Sequence, residues 1–80
     1  MNKEVDHGYE IGECIEYIPL VDGTPPSQIE QIAIKACNSV GIVLFIHSGA
    51  RVGTRSARYP LTVLFDTTEV ELNYEEAKKL

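Results

Sequence analysis

The sequence lacks any apolar segment long enough to cross a membrane. The longest run, residues 42–46, is only the length of a strand, whereas a transmembrane helix needs about 20 apolar residues. The opening residues, MNKEVDHGYE, are polar and acidic, so the basic and apolar parts of a secretory signal are also missing. We therefore expect a cytoplasmic protein without membrane association.

Cysteine is scarce as well, with Cys14 and Cys37 as the two examples. In a reducing compartment both side chains are most simply small buried hydrophobic groups, so we expect free thiols with Cys37 protected. Together with His7 and His47 they are the best candidates for soft metal ligands, but their spacing matches no chelate pattern. We expect no metal site and no cofactor.

What is present suits one small globular domain. The chain has 80 residues, of which 44% are hydrophobic and 24% charged. A chain of this length buries only about 60% of its unfolded surface when it folds. Association into a homo-oligomer is therefore a possible further source of stability. Residues 1–9 show no apolar period and predict a flexible arm, whereas residues 10–80 predict the domain.

Four segments have strand character. They are residues 11–21, 42–46, 59–66 and 69–73. Residues 42–46 (IVLFI) are apolar on both sides and predict a central strand. The last two segments alternate and are joined by a tight turn. Their predicted inward side chains are Leu61, Val63, Phe65, Val70 and Leu72. Residues 74–80, after the cap residue Asn73, predict a short helical turn.

The clearest helix signal lies in residues 27–40. Ser27 and Glu30 have the spacing of a capping box, in which each side chain accepts from a backbone N–H near the helix start. The apolar stripe predicted to be buried consists of Ile29, Ile32, Ala33, Cys37 and Val40. Gly41 is a natural stop. The fold class is therefore mostly β, an α+β domain with an antiparallel sheet.

Residues 10–19 and 41–80 resemble the SH3-like small barrels of the KOW and Tudor type. The resemblance lies in the opening strand IGECIEYIP, a strand after a glycine, a variable loop, YPLTVLFD, a tight turn, EVELN and a closing helical turn. It implies binding of nucleic acid or protein, and seldom catalysis. The inserted helix at about 27–40 departs from the pattern, so an open sheet covered by that helix is the alternative to a closed barrel.

All three arginines of this acidic chain, whose net charge is −5, lie in one predicted loop, residues 48–58. In this arginine loop, the guanidinium groups, the glycines and the hydroxyl groups could hold an anionic group. The predicted binding residues are Arg51, Gly53, Thr54, Arg55 and Arg58. The loop does not have P-loop spacing, and it could equally be a solvated connector whose arginines pair with carboxylates of the same chain.

Other chemistry is less well supported. Cys14 and His47 could meet across neighbouring strands as a thiolate and its base, but nothing near them indicates a reactive thiol. The carboxylates of Glu13, Glu16, Glu69 and Glu71 alternate with apolar residues, which is typical of a solvated strand face. The acidic surface itself could contact a basic partner or only keep the protein soluble.

We expect a non-catalytic binding module that recognises a macromolecule through the arginine loop, with a protein partner ahead of nucleic acid. A small regulatory or accessory protein, including one encoded by a phage or another virus, would fit this description. The alternatives are a nucleic-acid-binding KOW-like domain, and a binder of a small anion or nucleotide, or a minor enzyme, built on the same loop. A subunit of a symmetric assembly is a further class.

Overall fold

The computed structural model describes residues 8–20, 26–47, 52–54 and 58–80. Its elements are β1 (Cys14–Tyr17), α1 (Gln28–Ala36), β2 (Val40–Ile46), β3 (Leu61–Phe65), β4 (Thr68–Leu72) and β5 (Ala77–Lys79), with a 3-10 turn at Tyr74–Glu76 between the last two strands. The strands form one antiparallel sheet in the order β4-β3-β2-β1-β5. The sheet is open, so of the two predicted alternatives the open sheet with a helix is confirmed and barrel closure is not.

The inner face of the sheet, on which α1 packs, carries the core. Cross-strand pairs lie on the same face, and pairs such as Val43 with Val63 and Leu61 with Leu72 are buried together. The inner-face core side chains are Ile15, Tyr17, Val43, Leu61, Val63, Phe65, Val70, Leu72 and Ala77, and α1 adds Ala33 and Ile34. The faces predicted for the strands that became β3 and β4 are therefore confirmed.

Gly41 lies in β2, where its lack of a side chain makes room for the core. A Cβ atom built there would lie 2.6 Å from Val63 Cγ1 and 2.8 Å from the Leu64 carbonyl oxygen. The prediction that Gly41 ends the helix is therefore wrong. The chain leaves the helix earlier, because Asn38 and Ser39 have left-handed φ values of 54° and 66°, and Asn accepts this conformation more readily than most residues.

The helix start is confirmed, but only part of the predicted apolar stripe is buried. The Glu30 N–H donates to Ser27 Oγ (3.3 Å) and the Ser27 N–H donates to Glu30 Oε1 (2.9 Å), which completes the capping box. Of that stripe, Ala33 is buried and Cys37 packs against the core, but Ile29 and Ile32 are 72% and 63% exposed. Val40 is not in the helix but begins β2, and Ile34, outside the predicted stripe, is buried. The helix is apolar on two stripes, and packing against β3 and β4 selects the stripe that contains Ile34.

Both ends of the domain differ in detail from the sequence prediction. The first strand is limited to four residues of the predicted 11–21. At the other end, the Asn73 side chain caps the 3-10 turn as predicted, but the next residues form β5 and not a helical turn. Residues 1–7 of the predicted arm lie outside the described residues, whereas Tyr9 packs on the core through Tyr74. Within the described ranges no helix is long and apolar enough to span a bilayer.

Candidate functional site

The arginine loop joins β2 to β3, two neighbouring strands that both contribute to the inner-face core. Ile46 at the end of β2 pairs with Leu61 at the start of β3. Immediately beyond this pair, the His47 N–H donates to the Pro60 carbonyl at 2.7 Å. Because Leu61 is fully buried, the neck of the loop is fixed to the core.

Three of the five predicted binding residues are described, namely Gly53, Thr54 and Arg58. Gly53 has a φ of +91°, a conformation that side chains rarely adopt. The Arg58 N–H donates to the Thr54 carbonyl at 3.2 Å. All three residues are exposed. Arg51 and Arg55 lie outside the described residues, and their part in the site stays a prediction.

Val52 belongs to this region although the sequence analysis did not single it out. Its side chain is 94% exposed, the highest value among the large hydrophobic residues of the described ranges. Val52 is the one large aliphatic residue in the sequence of residues 48–58, and this was the available signal. An exposed aliphatic side chain beside cationic groups can contact apolar and acidic parts of a protein at the same time.

The outer face of the sheet adjoins the loop. This face carries Cys14 and Glu16 of β1, Val40, Ile42 and Phe45 of β2, Thr62 and Leu64 of β3, Glu69 and Glu71 of β4, and Lys78 of β5. Phe45 is 50% exposed and Ile42 is 43% exposed. The His47 ring contacts Phe45 edge-on, with centroids 4.6 Å apart, and its Nε2 lies 3.4 Å from Thr62 Oγ1. His47 therefore follows the end of β2 with its ring beside Thr62.

A β-bulge explains why Phe45 lies on the outer face. Val43 pairs with Val63, but Phe45 pairs with the next residue of β3, Thr62, so Leu44 is an extra residue in β2. Without it, Phe45 would follow Val43 on the inner face by simple alternation. The sequence predicted a strand that is apolar on both sides, but alternation alone could not locate the bulge.

The structure does not bring the proposed cysteine and histidine together. Cys14 pairs with Ile42, whereas His47 lies past the far end of β2, roughly 15 Å further along the strand direction. Both cysteines are free thiols; Cys37 is partly buried, but Cys14 is exposed, contrary to the prediction that both are buried. Among the described residues, no group of three His, Cys, Asp or Glu side chains is placed to hold a metal ion.

Tyr9 and Tyr74 connect the N-terminal and C-terminal parts of the domain. The Tyr9 hydroxyl donates to the Ala77 carbonyl at 2.6 Å, and its ring stacks with that of Tyr74. Lys79 Nζ lies 5.9 Å from the centre of the Tyr9 ring and 3.7 Å from Glu13 Oε2. Burial, and then the Glu13 carboxylate, raises the pKa of Tyr9, and burial raises the pKa of Tyr74. Both phenols are therefore neutral at neutral pH, and that of Tyr9 donates its hydrogen bond.

A shallow groove runs between the end of β1 and the helix. It has a volume of about 370 Å³ and is lined by Tyr17, Pro19, Pro26, Gln31, Ile34, Lys35 and Ser39. Burial raises the pKa of Tyr17, and the Glu76 and Glu30 carboxylates raise it further. The groove can contact an apolar side chain, with the Lys35 side chain at its margin.

Compared with known proteins, the chain matches no family model, no curated protein and no solved structure. The resemblance to KOW and Tudor barrels therefore stays a prediction. The arginine loop, with its neck fixed to the core, and the outer face beside that neck are the candidate functional surfaces.

Proposed function

We propose that this chain is a non-catalytic binding module that recognises a macromolecular partner, a protein ahead of nucleic acid, through the arginine loop. The observation that carries the proposal is the near-complete exposure of Val52 on a loop whose neck is held by the Ile46–Leu61 pair. An anchored neck lowers the entropy lost on binding, and an exposed apolar side chain gains most from burial by a partner.

Charge supports a partner with acidic groups. The loop segment holds three of the seven cationic side chains in a chain whose net charge is −5. At physiological ionic strength the Debye length is about 8 Å, so distant carboxylates are largely screened from a group at the loop. Arginine is enriched in protein interfaces and forms paired hydrogen bonds with carboxylates. Long duplex DNA fits less well, because its phosphates would also meet the acidic parts of the surface.

The test combines affinity capture from lysate with three variants. Replacing Arg51, Arg55 and Arg58 with alanine should abolish capture of the partner while the free energy of unfolding changes by less than about 1 kcal/mol, the magnitude of a surface ion pair. The control replaces Lys35, an exposed cation of α1 away from the outer face, and should leave capture unchanged. Capture by the triple arginine variant at wild-type level would mean that the loop is a solvated connector.

Val52→Asp separates the two kinds of partner. A protein partner that buries the valine side chain should be lost, because a buried unpaired carboxylate is costly. A nucleic acid held by phosphate contacts should depend on the arginines and on salt, and much less on burial of the valine side chain. If capture disappears after nuclease treatment, the nucleic-acid-binding alternative is correct and the protein partner is not.

A further inference from the structure

The middle of the outer face is apolar and exposed. Val40, Ile42 and Phe45 of the central strand β2 are 37–50% exposed. Ile42 has Cys14 as its neighbour on one side and Leu64 on the other. α1 packs against β3 and β4 on the inner face, so it does not cover this group. Contiguous exposed apolar side chains rimmed by polar ones are typical of an interface.

The two edges of the same face carry opposite charges. Glu69 and Glu71 of β4 pair with Leu64 and Thr62, which places both carboxylates at one edge. At the other edge Lys78 of β5 pairs with Glu16. Both Glu69 and Lys78 are exposed. The face is therefore acidic at its β4 edge, apolar in the middle and has its cation at the β5 edge.

We propose that this outer face binds the outer face of a second copy of the chain, to form a symmetric two-sheet sandwich. β2 is the middle strand of the five. A two-fold axis that runs parallel to the strands and lies above β2 therefore places β2 of one copy over β2 of the other. The same operation places β4 of one copy over β5 of the other. The Glu69 carboxylate then faces the edge that carries Lys78 of the second copy, and the contact occurs twice because the interface is isologous.

The alternative two-fold axis, perpendicular to the strands, fits the charges less well. It stacks β4 on β4, which brings the Glu69 and Glu71 carboxylates of one copy against those of the other. Like charges placed against each other oppose association. The charge pattern of the edges therefore selects the axis parallel to the strands.

The size of the face sets the strength of the dimer. Five strands at about 4.8 Å spacing and five residues at about 3.3 Å each give roughly 400 Å² of flat area on each copy. The accessible surface that two copies bury is then at or somewhat above about 800 Å², which is below the roughly 1,200 Å² of stable specific interfaces and typical of weak, transient association. The dimer is therefore weak, and its population depends on protein concentration.

The selected axis has a consequence for recognition. Rotation about a line parallel to the strands preserves the strand direction, so the ends of β2 in both copies lie at the same end of the dimer. The necks of the two arginine loops, at His47 and Pro60, are then side by side. Two linked sites gain avidity without new contacts when the partner can reach both. The self-association itself does not require the loop, so it and the proposed function can fail independently.

Sedimentation of the full chain, up to about 1 mM, tests the proposal. The wild-type protein should change from monomer to dimer over this range, and Phe45→Lys should remain monomeric with at least a tenfold weaker association. The matched control is Ile32→Lys, which places the same side chain on the exposed stripe of α1 and should still dimerise. A monomeric wild type, a dimeric Phe45→Lys or a monomeric Ile32→Lys would each overturn the proposal.

Charge reversal tests the arrangement with residues that are exposed and outside the core. Glu69→Lys and Lys78→Glu should each weaken the dimer by about threefold to tenfold, although the first also lowers the net negative charge. An equimolar mixture of the two variants should recover wild-type association, because both contacts of the mixed dimer again join opposite charges. Single reversals without effect, or a mixture that stays as weak as its components, would overturn the stacking of β4 on β5.

Discussion

The two phenylalanines of the chain lie on neighbouring strands and on opposite faces of the sheet. Phe65 in β3 is fully buried beside Gly41, whereas Phe45 in β2 is 50% exposed beside His47. The same type of side chain therefore serves two purposes, because burial and not residue type decides its contribution to folding. The inner face stabilises the monomer, whereas the outer face and the arginine loop are the surfaces through which we propose association.

Truncation of the two phenylalanines is the strongest test of this difference. Phe65→Ala should lower the free energy of unfolding by about 3–5 kcal/mol, because it leaves a cavity in a closed part of the core. That loss is close to the whole stability expected for a domain of this size. Phe45→Ala should cost less than about 1 kcal/mol in the monomer, since half of its ring is already in water. Urea unfolding at low protein concentration measures both values, and equal losses would contradict the assignment of the faces.

In the helix, Ile34 and Ile32 form a second pair of like side chains, one buried and one exposed. Ile34→Ala should cost about 2–5 kcal/mol, because its side chain is buried against the sheet. Ile32→Ala, on the exposed stripe of α1, should change stability by no more than about 0.5 kcal/mol. Thermal or urea unfolding distinguishes the two variants. If Ile32→Ala proved the more harmful, the stripe predicted from the sequence would be the buried one after all.

This pair also shows how far the sequence could predict the structure. The start of α1 is local chemistry, since Ser27 and Glu30 need only the correct spacing, and it was predicted correctly. Which apolar stripe faces the sheet is a tertiary choice between the side that contains Ile32 and the side that contains Ile34. The end of the helix depends on left-handed backbone at Asn38, which sequence spacing does not reveal.

In the sheet, too, some features could be predicted from the sequence and others could not. Alternation in β3 and β4 predicted their buried faces, because the period of two continues without interruption through Val63 and Val70. It could not assign Phe45 to a face, because residues 42–46 are apolar on both sides and one extra residue in β2 moves the later side chains of that strand to the opposite face. β5 has the sequence Ala-Lys-Lys, which has no strand character and pairs only because β1 presents an edge. Exposed Val52 could have been noted from the sequence, whereas the outer face required the register.

The capping box should have a smaller effect than the core positions. Ser27→Ala removes the acceptor for the Glu30 N–H and should cost about 0.5–2 kcal/mol. Gln28→Ala, one residue further on and exposed, is the matched control and should be close to neutral. Urea unfolding compares the two. A loss no greater for Ser27→Ala than for Gln28→Ala would show that the cap contributes little to the stability of α1.

Alkaline pH should weaken the fold by a small amount through the tyrosines. The pKa values of Tyr9, Tyr17 and Tyr74 are raised above the ordinary value of 10.0, with burial as the largest cause. Above pH 10.0 the unfolded chain therefore releases these protons before the folded chain does, so stability that is fully present below this pH is lost as the pH rises. Melting temperature and phenolate absorbance followed together measure this loss, and Tyr17→Phe should reduce it. Stability that rose through this range would contradict the raised pKa values.

The dependence of melting temperature on protein concentration tests the division between the two faces most directly. A dimer formed by folded chains raises the melting temperature as concentration rises. We predict that the wild-type protein shows this rise over a hundredfold range, and that Phe45→Lys melts at one concentration-independent temperature, close to that of dilute wild type. A wild-type melting temperature that does not change with concentration, or a Phe45→Lys protein that melts far below dilute wild type, would contradict the account.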